Sequence, residues 1–296
     1  MAGGQKKQRN HRLDFCEGGN YMVEKMKIGS KDFQFGERTY IMGILNVTPD
    51  SFSDGGSYYD MNAALKHAEK MIEDGADIID IGGESTRPNY TKISNEEEIS
   101  RVVPVISELK KHFDVPISID TYKSEVAREA ILAGADLVND IWGLKYDNNM
   151  AEVIKHGEVP VCIMHNREQP NYKNFILDVM KDLEQSIQIA LEADIDQGKI
   201  IVDPGVGFGK TYEMNLTVIR ELEKFHQLDM PILLGTSRKS VIGLTLELPV
   251  TERDEGTIAT SVMAVMKGCQ FVRVHDVKGN KRVIQMTEAI LRGNLE

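Results

Sequence analysis

The sequence predicts an α/β protein, a closed (β/α)8 TIM barrel with a short N-terminal hairpin. Two observations carry this. From Tyr40 onward a short apolar run, a polar or glycine-bearing break and a helix-like stretch recur eight times. The runs are apolar on both faces rather than alternating, as expected of parallel strands covered on both sides. Eight such units in roughly 250 residues fit one barrel domain. A doubly wound open sheet is the structural alternative.

The elements follow in order. The opening stretch "MAGGQKKQRNHR" is basic and glycine-rich and lacks the apolar segment of a signal peptide. Residues 1–25 are expected to be a disordered or expression-derived tail, and 26–296 a single domain. "KIGSKDFQFGERTY" (27–40) reads as a hairpin with an Asp-containing turn that plugs the N-terminal end of the barrel. The eight strands are "YIMGILN" (40–46), "DIIDIGG" (77–83), "PISID" (116–120), "DLVND" (136–140), "PVCIM" (160–164), "KIIVD" (199–203), "PILLG" (231–235) and "FVRVH" (271–275). Between them, 62–76 places Ala64, Leu65, Ala68, Met71 and Ile72 at helical spacing before a glycine. Residues 124–135 and 175–193 repeat the pattern, and 283–292 closes the series.

Composition narrows the function. With 35 basic and 46 acidic residues the formal charge is −11, so there is no bulk attraction to nucleic acid or an anionic membrane. No apolar run approaches the ~20 residues of a membrane helix. Cys16, Cys162 and Cys269 lie far apart, which favours a reduced, cytoplasmic setting over a disulfide framework.

Active sites of such barrels sit at the C-terminal ends of the strands. Here those ends carry Asn46, "GGESTRP" (82–88), Asp120, Asn139-Asp140, Met164-His165, Asp203, "GTSRKS" (235–240), and Arg273 with His275. Taken singly, Asp120 or Asp203 could cap a turn and His165 could be a satisfied histidine under a loop. Their coincidence at one end is the stronger signal. Arg273 and His275 share a strand face, and an inward arginine needs an anion. The loops after strands seven and eight are the usual phosphate site of this architecture, and Ser237, Arg238, Lys239 and Ser240 lie on the first of them. The competing reading is an internal ion pair from Arg273 to Asp203 or Asp276. "DPGVGFGKT" (203–211) imitates a nucleotide-binding P-loop, but Pro204 stands where that loop requires glycine. It reads instead as a tight turn that lets the backbone pass near a ligand. Asp120 and Asp203 could be an acid/base pair, metal ligands, or acceptors for a ring rich in N–H donors. An aminopyrimidine suits the last, with Asn139 completing the set.

Seven segments, "IMGILNVTPDSFSDGG", "DIIDIGGESTRP", "PISIDTYKSEVA", "LVNDIWG", "IIVDPGVGFGKT", "PILLGTSRKS" and "VRVHDV", together resemble the dihydropteroate synthase family, from about residue 26 to the end. The resemblance implies condensation of 6-hydroxymethyl-7,8-dihydropterin diphosphate with 4-aminobenzoate, with diphosphate lost first to leave a pterin cation. It implies a pterin site of Asp120, Asn139, Met164, Asp203, Lys239 and Arg273. The diphosphate would lie against Asn46, Thr86, Arg87, Arg273 and His275, with Mg2+ held by Asn46. 4-Aminobenzoate would meet Phe52, Thr86, Pro88, Lys239 and Ser240 once two loops close. Asp54 would order those loops, and Asp54, Asp120, Asp203 and Lys239 would take part in catalysis. The family is a sulfonamide target and usually a homodimer; "TIATSVMAVMKG" (257–268) is the candidate surface, with ordinary core as its other reading. Pterin-dependent methyltransferases share the barrel and are the alternative, but they have no diphosphate to hold. A Schiff-base aldolase using Lys239 and a silent pterin-binding protein are further rivals.

Overall fold

The computed structural model describes residues 23–47, 57–84 and 92–293. A two-stranded antiparallel hairpin, β1 (Lys25–Ile28) and β2 (Lys31–Gln34), precedes eight parallel strands. These are β3 (Tyr40–Asn46), β4 (Ile78–Gly82), β5 (Ile117–Asp120), β6 (Leu137–Asp140), β7 (Val161–Met164), β8 (Ile200–Asp203), β9 (Leu233–Leu234) and β10 (Phe271–Val274). The helices are α1 (Ser57–Glu73), α2 (Asn95–His112), α3 (Ser124–Leu132), α4 (Met150–Gly157), α5 (Phe175–Glu192), α6 (Tyr212–Arg220), α7 (Ser240–Leu246), α8 (Asp254–Met266) and α9 (Val277–Arg292).

All eight expected strands are present, and the sheet closes. The ladder runs β8-β7-β6-β5-β4-β3-β10-β9. The seam is a bridge between Val202 and Ile232, where the Val202 N–H donates to the Pro231 carbonyl at 2.9 Å. Pro231 has no N–H of its own to extend the ladder, which keeps this edge short. The open-sheet alternative is therefore excluded.

Two differences from the sequence reading have simple causes. The hairpin turns at Gly29–Ser30, not at an aspartate; Asp32 lies in β2, opposite Lys27. Helix α9 begins at Val277 rather than 283, because the Asp276 carboxylate accepts the Gly279 N–H at 3.1 Å and caps it.

Strand alternation divides the interior into two storeys. The lower is apolar: Met42, Ile78, Leu137, Cys162, Ile201, Leu233 and Phe271 cluster with Met26, Ile28, Phe33 and Phe35 of the hairpin. The hairpin thus plugs the N-terminal end, and burying each large side chain there is worth about 1.5–3 kcal/mol. The Tyr40 hydroxyl secures it, donating to the Gln34 carbonyl at 3.0 Å and accepting the Gln34 N–H at 2.8 Å. Outward residues such as Ile79, Ile81, Ile117 and Ile119 meet Val102, Ile106, Leu109 and Val126 of the helices. The upper storey is polar, and it holds the site.

Candidate active site

On β4 the inward positions run Ile78, Asp80, Gly82, and on β5 they end at Ser118 and Asp120. Arg273 reaches across from β10 and bridges the two aspartates. Its Nε donates to Asp80 Oδ2 at 2.5 Å and its Nη2 to Asp120 Oδ2 at 2.6 Å. Asn139 Nδ2 donates to the same Asp80 oxygen at 3.3 Å. Arg273 does form an internal ion pair, as its competing reading held, but its partners are Asp80 and Asp120 rather than Asp203 or Asp276. Asp120 Oδ1 and Asp80 Oδ1 are buried without a hydrogen-bond partner. An orphaned buried carboxylate oxygen is costly, and Asp120 Oδ1 is an acceptor in want of a donor. Burial raises the Asp120 pKa, against the pull of Arg273.

Asp203, at the end of β8, is buried too. Its Oδ1 accepts the Gly205 N–H at 2.7 Å, so the turn-capping reading holds for one oxygen. Burial raises this carboxyl, opposed chiefly by Lys239. Lys239 donates to the Val206 carbonyl at 2.6 Å, and its ammonium stands 4.7 Å from the centre of the Phe208 ring. Burial pushes Lys239 down to about 8, against the attraction of Asp203. Met164 packs with Tyr122, Ile141, Trp142 and Phe208, an apolar wall beside the acceptors. Asp120, Asn139, Met164, Asp203, Lys239 and Arg273 thus all belong to one barrel mouth.

The neighbouring loops sort the remaining residues. His275 Nδ1 is 2.9 Å from Ser237 Oγ, which also accepts the His275 N–H at 3.1 Å. The ring thereby ties the loop after β10 to the loop after β9. Arg238 does not face the mouth as a cation; it forms a bidentate pair with Asp254 at 2.7 and 2.8 Å. Ser240 is exposed at the start of α7. Asp140 is a turn-former, accepting from the Trp142 and Leu144 N–H groups at 2.8 and 2.7 Å. Asn46 ends β3 beside Gly82, where an added Cβ would stand 3.7 Å from its Oδ1. Phe52, Asp54, Thr86, Arg87 and Pro88 lie outside the described residues.

Several residues escaped the sequence reading. Asp80 was passed over because it lies two positions before the strand end, although strand alternation alone turns it inward. Phe208 and Lys210 were hidden inside the false P-loop. Gly205 and Gly209 press the turn against the chain after β7: a Cβ on Gly205 (φ +71) would meet the His165 carbonyl oxygen at 1.9 Å, whereas one on Gly207 would face the Lys239 side chain at 3.1 Å. Just past the C-terminal end of β4, Lys123 donates to Glu84 and Glu98, both at 2.7 Å, and to the Ile93 carbonyl at 2.8 Å. This buried clamp joins the ends of the chain either side of residues 85–91. His165 is a satisfied histidine under its loop, its Nε2 3.0 Å from Asp182.

Comparison with known proteins agrees with this geometry. The pterin-binding enzyme family matches residues 42–275. A dihydropteroate synthase of Clostridium beijerinckii is 60% identical over 90% of this chain and 100% of its own length. A crystal structure of the dihydropteroate synthase of Clostridium difficile, obtained in the presence of pteroic acid, superposes with a TM-score of 0.86 at 52% identity, covering 88% of this chain and 100% of that one. The Xanthomonas albilineans dihydropteroate synthase with 4-aminobenzoic acid has the same TM-score at 37% identity, covering 90% of this chain and 98% of that one. With the barrel, the mouth and these relatives in agreement, the chain belongs to the dihydropteroate synthases of the pterin-binding enzyme family.

Proposed function

We infer that this mouth condenses 6-hydroxymethyl-7,8-dihydropterin diphosphate with 4-aminobenzoate, giving 7,8-dihydropteroate and diphosphate. One observation carries the reading: buried acceptors on β5, β6 and β8 (Asp120, Asn139 and Asp203) converge with Lys239 and Arg273 at one end of the barrel. A pterin edge offers adjacent N–H donors, which Asp120 Oδ1 and the free oxygen of Asp203 accept. Lys239 donates to ring acceptors, Met164 and Phe208 supply the apolar wall, and Arg273 stacks on the ring. Removing the ring's water shell in this way discriminates against analogues that lack the donors.

In the reaction the bond from the pterin methylene carbon to the diphosphate oxygen breaks. The positive charge left on the pterin faces two carboxylates already oriented for it, so little reorganisation is needed. The amine nitrogen of 4-aminobenzoate then bonds to the methylene carbon and one amine proton is released. Arg273 and His275, the latter fixed by Ser237, are assigned to the leaving diphosphate. Phe52, Asp54, Thr86, Arg87 and Pro88 are assigned to loop closure, diphosphate and aminobenzoate from the sequence resemblance, with Ser240 at the rim.

Among the described residues no three His, Cys, Asp or Glu side chains gather as a metal cage. A single amide oxygen at the open end of β3 fits magnesium, which takes few protein ligands and fills its shell with phosphate oxygens and water. Asn46 would hold it. When bound, magnesium supplies positive charge to the diphosphate.

We also place the enzyme in the cytoplasm as a homodimer. The free, buried Cys162 and Cys269 suit a reducing compartment. Among the described residues no helix is long and apolar enough to cross a membrane. Leu244 of α7, Met266 of α8, and Met286 and Ile290 of α9 are exposed, a supply of apolar surface for a second copy. Within 257–268 the ordinary-core reading applies to Thr257, Ser261, Ala264 and Val265, which are buried.

The test is turnover. With dihydropterin diphosphate, diphosphate release should require 4-aminobenzoate and match the dihydropteroate formed. Methyl transfer to or from a pterin, with no diphosphate released, would favour the methyltransferase alternative instead.

A further inference from the structure

Lys210 ends the turn that imitates a P-loop, and the reaction above gives it no part. Its ammonium points inward. It donates to the Gly205 carbonyl at 2.8 Å, the Phe208 carbonyl at 3.0 Å and His165 Nδ1 at 2.7 Å. Three acceptors match the three N–H donors of the charged form, while burial pushes the amine down to about 7 against the attraction of Asp203. A carboxylate oxygen can only accept, so Nε2 carries the proton and gives it to Asp182 Oδ2 at 3.0 Å, leaving the Nδ1 lone pair to accept from Lys210. Burial pushes the imidazole down to about 4, with Asp182 pulling the other way, so it stays neutral. Asp182 is itself held by Arg167 Nε at 2.6 Å.

The two carbonyls that Lys210 grips flank Val206, whose own carbonyl holds Lys239. The Gly205 N–H, on the same turn, fixes one oxygen of Asp203 and so aims the other. The Phe208 ring lies under the Lys239 ammonium. Three groups assigned to the pterin therefore hang from one turn, and one inward-pointing lysine amine sets its shape.

We propose that Lys210, seated on the His165 ring, is a positioning residue that aligns Asp203 and Lys239 for the pterin. This rests on the pterin reading of the mouth. A lysine that merely stapled the turn would affect stability and leave ligand preference alone.

The test is calorimetric titration of the full chain with a dihydropterin lacking diphosphate and, separately, with inorganic diphosphate. Lys210→Met keeps the stem and removes the donors. It should weaken pterin binding by about tenfold or more and leave diphosphate binding unchanged. Should that variant fail to fold, the His165 pair decides. His165→Asn places an amide oxygen near the Nδ1 position, keeping an acceptor for Lys210. His165→Gln reaches Asp182 but abandons Lys210. The asparagine variant should hold the pterin nearly as the parent does, and the glutamine variant should lose about tenfold. A folded Lys210→Met or His165→Gln with a lowered Tm and parental pterin affinity overturns the proposal. A parent enzyme that binds no pterin overturns the functional reading itself, a different and distinguishable outcome.

Discussion

At the scale of single residues, the site is decided by who pairs with Arg273. Asp80 is 0% exposed and is bonded to both Arg273 and Asn139, so it anchors them while Asp120 keeps an oxygen for the ligand. Removing one member of a buried charged pair strands the other, at a cost of up to about 3–5 kcal/mol. Asp80→Ala should approach that loss in urea unfolding, less whatever Asp120 recovers as the remaining partner; a variant as stable as the parent would show that Asp80 is idle. The carboxyls also set a pH dependence. Burial raises Asp120 and Asp203, so acidification protonates them in the free enzyme first. Ring N–H donors need the ionised form. Pterin affinity should therefore fall as pH falls through the raised range, by at most about tenfold per unit for each proton taken up, and Asp120→Asn should flatten the slope. His275 sits apart, tied to Ser237. His275→Ala should weaken the diphosphate-bearing substrate and spare the bare pterin; equal losses for both would refute its assignment to the diphosphate.

At the scale of elements, glycines separate positions where the chain is pressed from those where it is open. At Gly205 a methyl group would meet a backbone oxygen at 1.9 Å, at φ +71. Gly205→Ala should cost at least about 1–3 kcal/mol, read by denaturant midpoint, and loosen Lys239. At Gly82 the nearest atoms would be 3.7 Å away, so Gly82→Ala should fold like the parent. The strands themselves were legible because each is a short apolar run between breaks, and inward phase follows from alternation. Helix starts were less so: α9 begins earlier than its apolar pattern, because one capping aspartate decides where it starts. The counterions of Arg273 were not legible. They stand 193 and 153 residues away in sequence, and no local pattern in "FVRVH" points to Asp80. Lys210 was illegible for the opposite reason. Its local motif was loud, and only the fold reveals that it turns inward to His165.

At the scale of the whole molecule, an acidic chain of net charge −11 places Arg273 and Lys239 together at one barrel mouth, while an apolar storey and a hairpin seal the other end. The exposed Met286 and Ile290, one turn apart on α9, are 61% and 66% accessible. If they face a second copy, light scattering should give twice the 33.2 kDa chain mass, and Met286→Lys with Ile290→Lys should halve it. A monomeric parent would remove the dimer proposal without touching the chemistry. The central claim is that the upper storey holds a pterin through its buried carboxylates. Calorimetric titration of a dihydropterin into the parent and into Asp120→Asn tests it most directly, with circular dichroism to confirm that the variant is folded. The amide turns an acceptor into a mixed group and sets N–H against N–H, costing roughly 1–3 kcal/mol. The account predicts binding by the parent and a loss of about fivefold or more in the variant; a folded Asp120→Asn that binds pterin as tightly as the parent would contradict it.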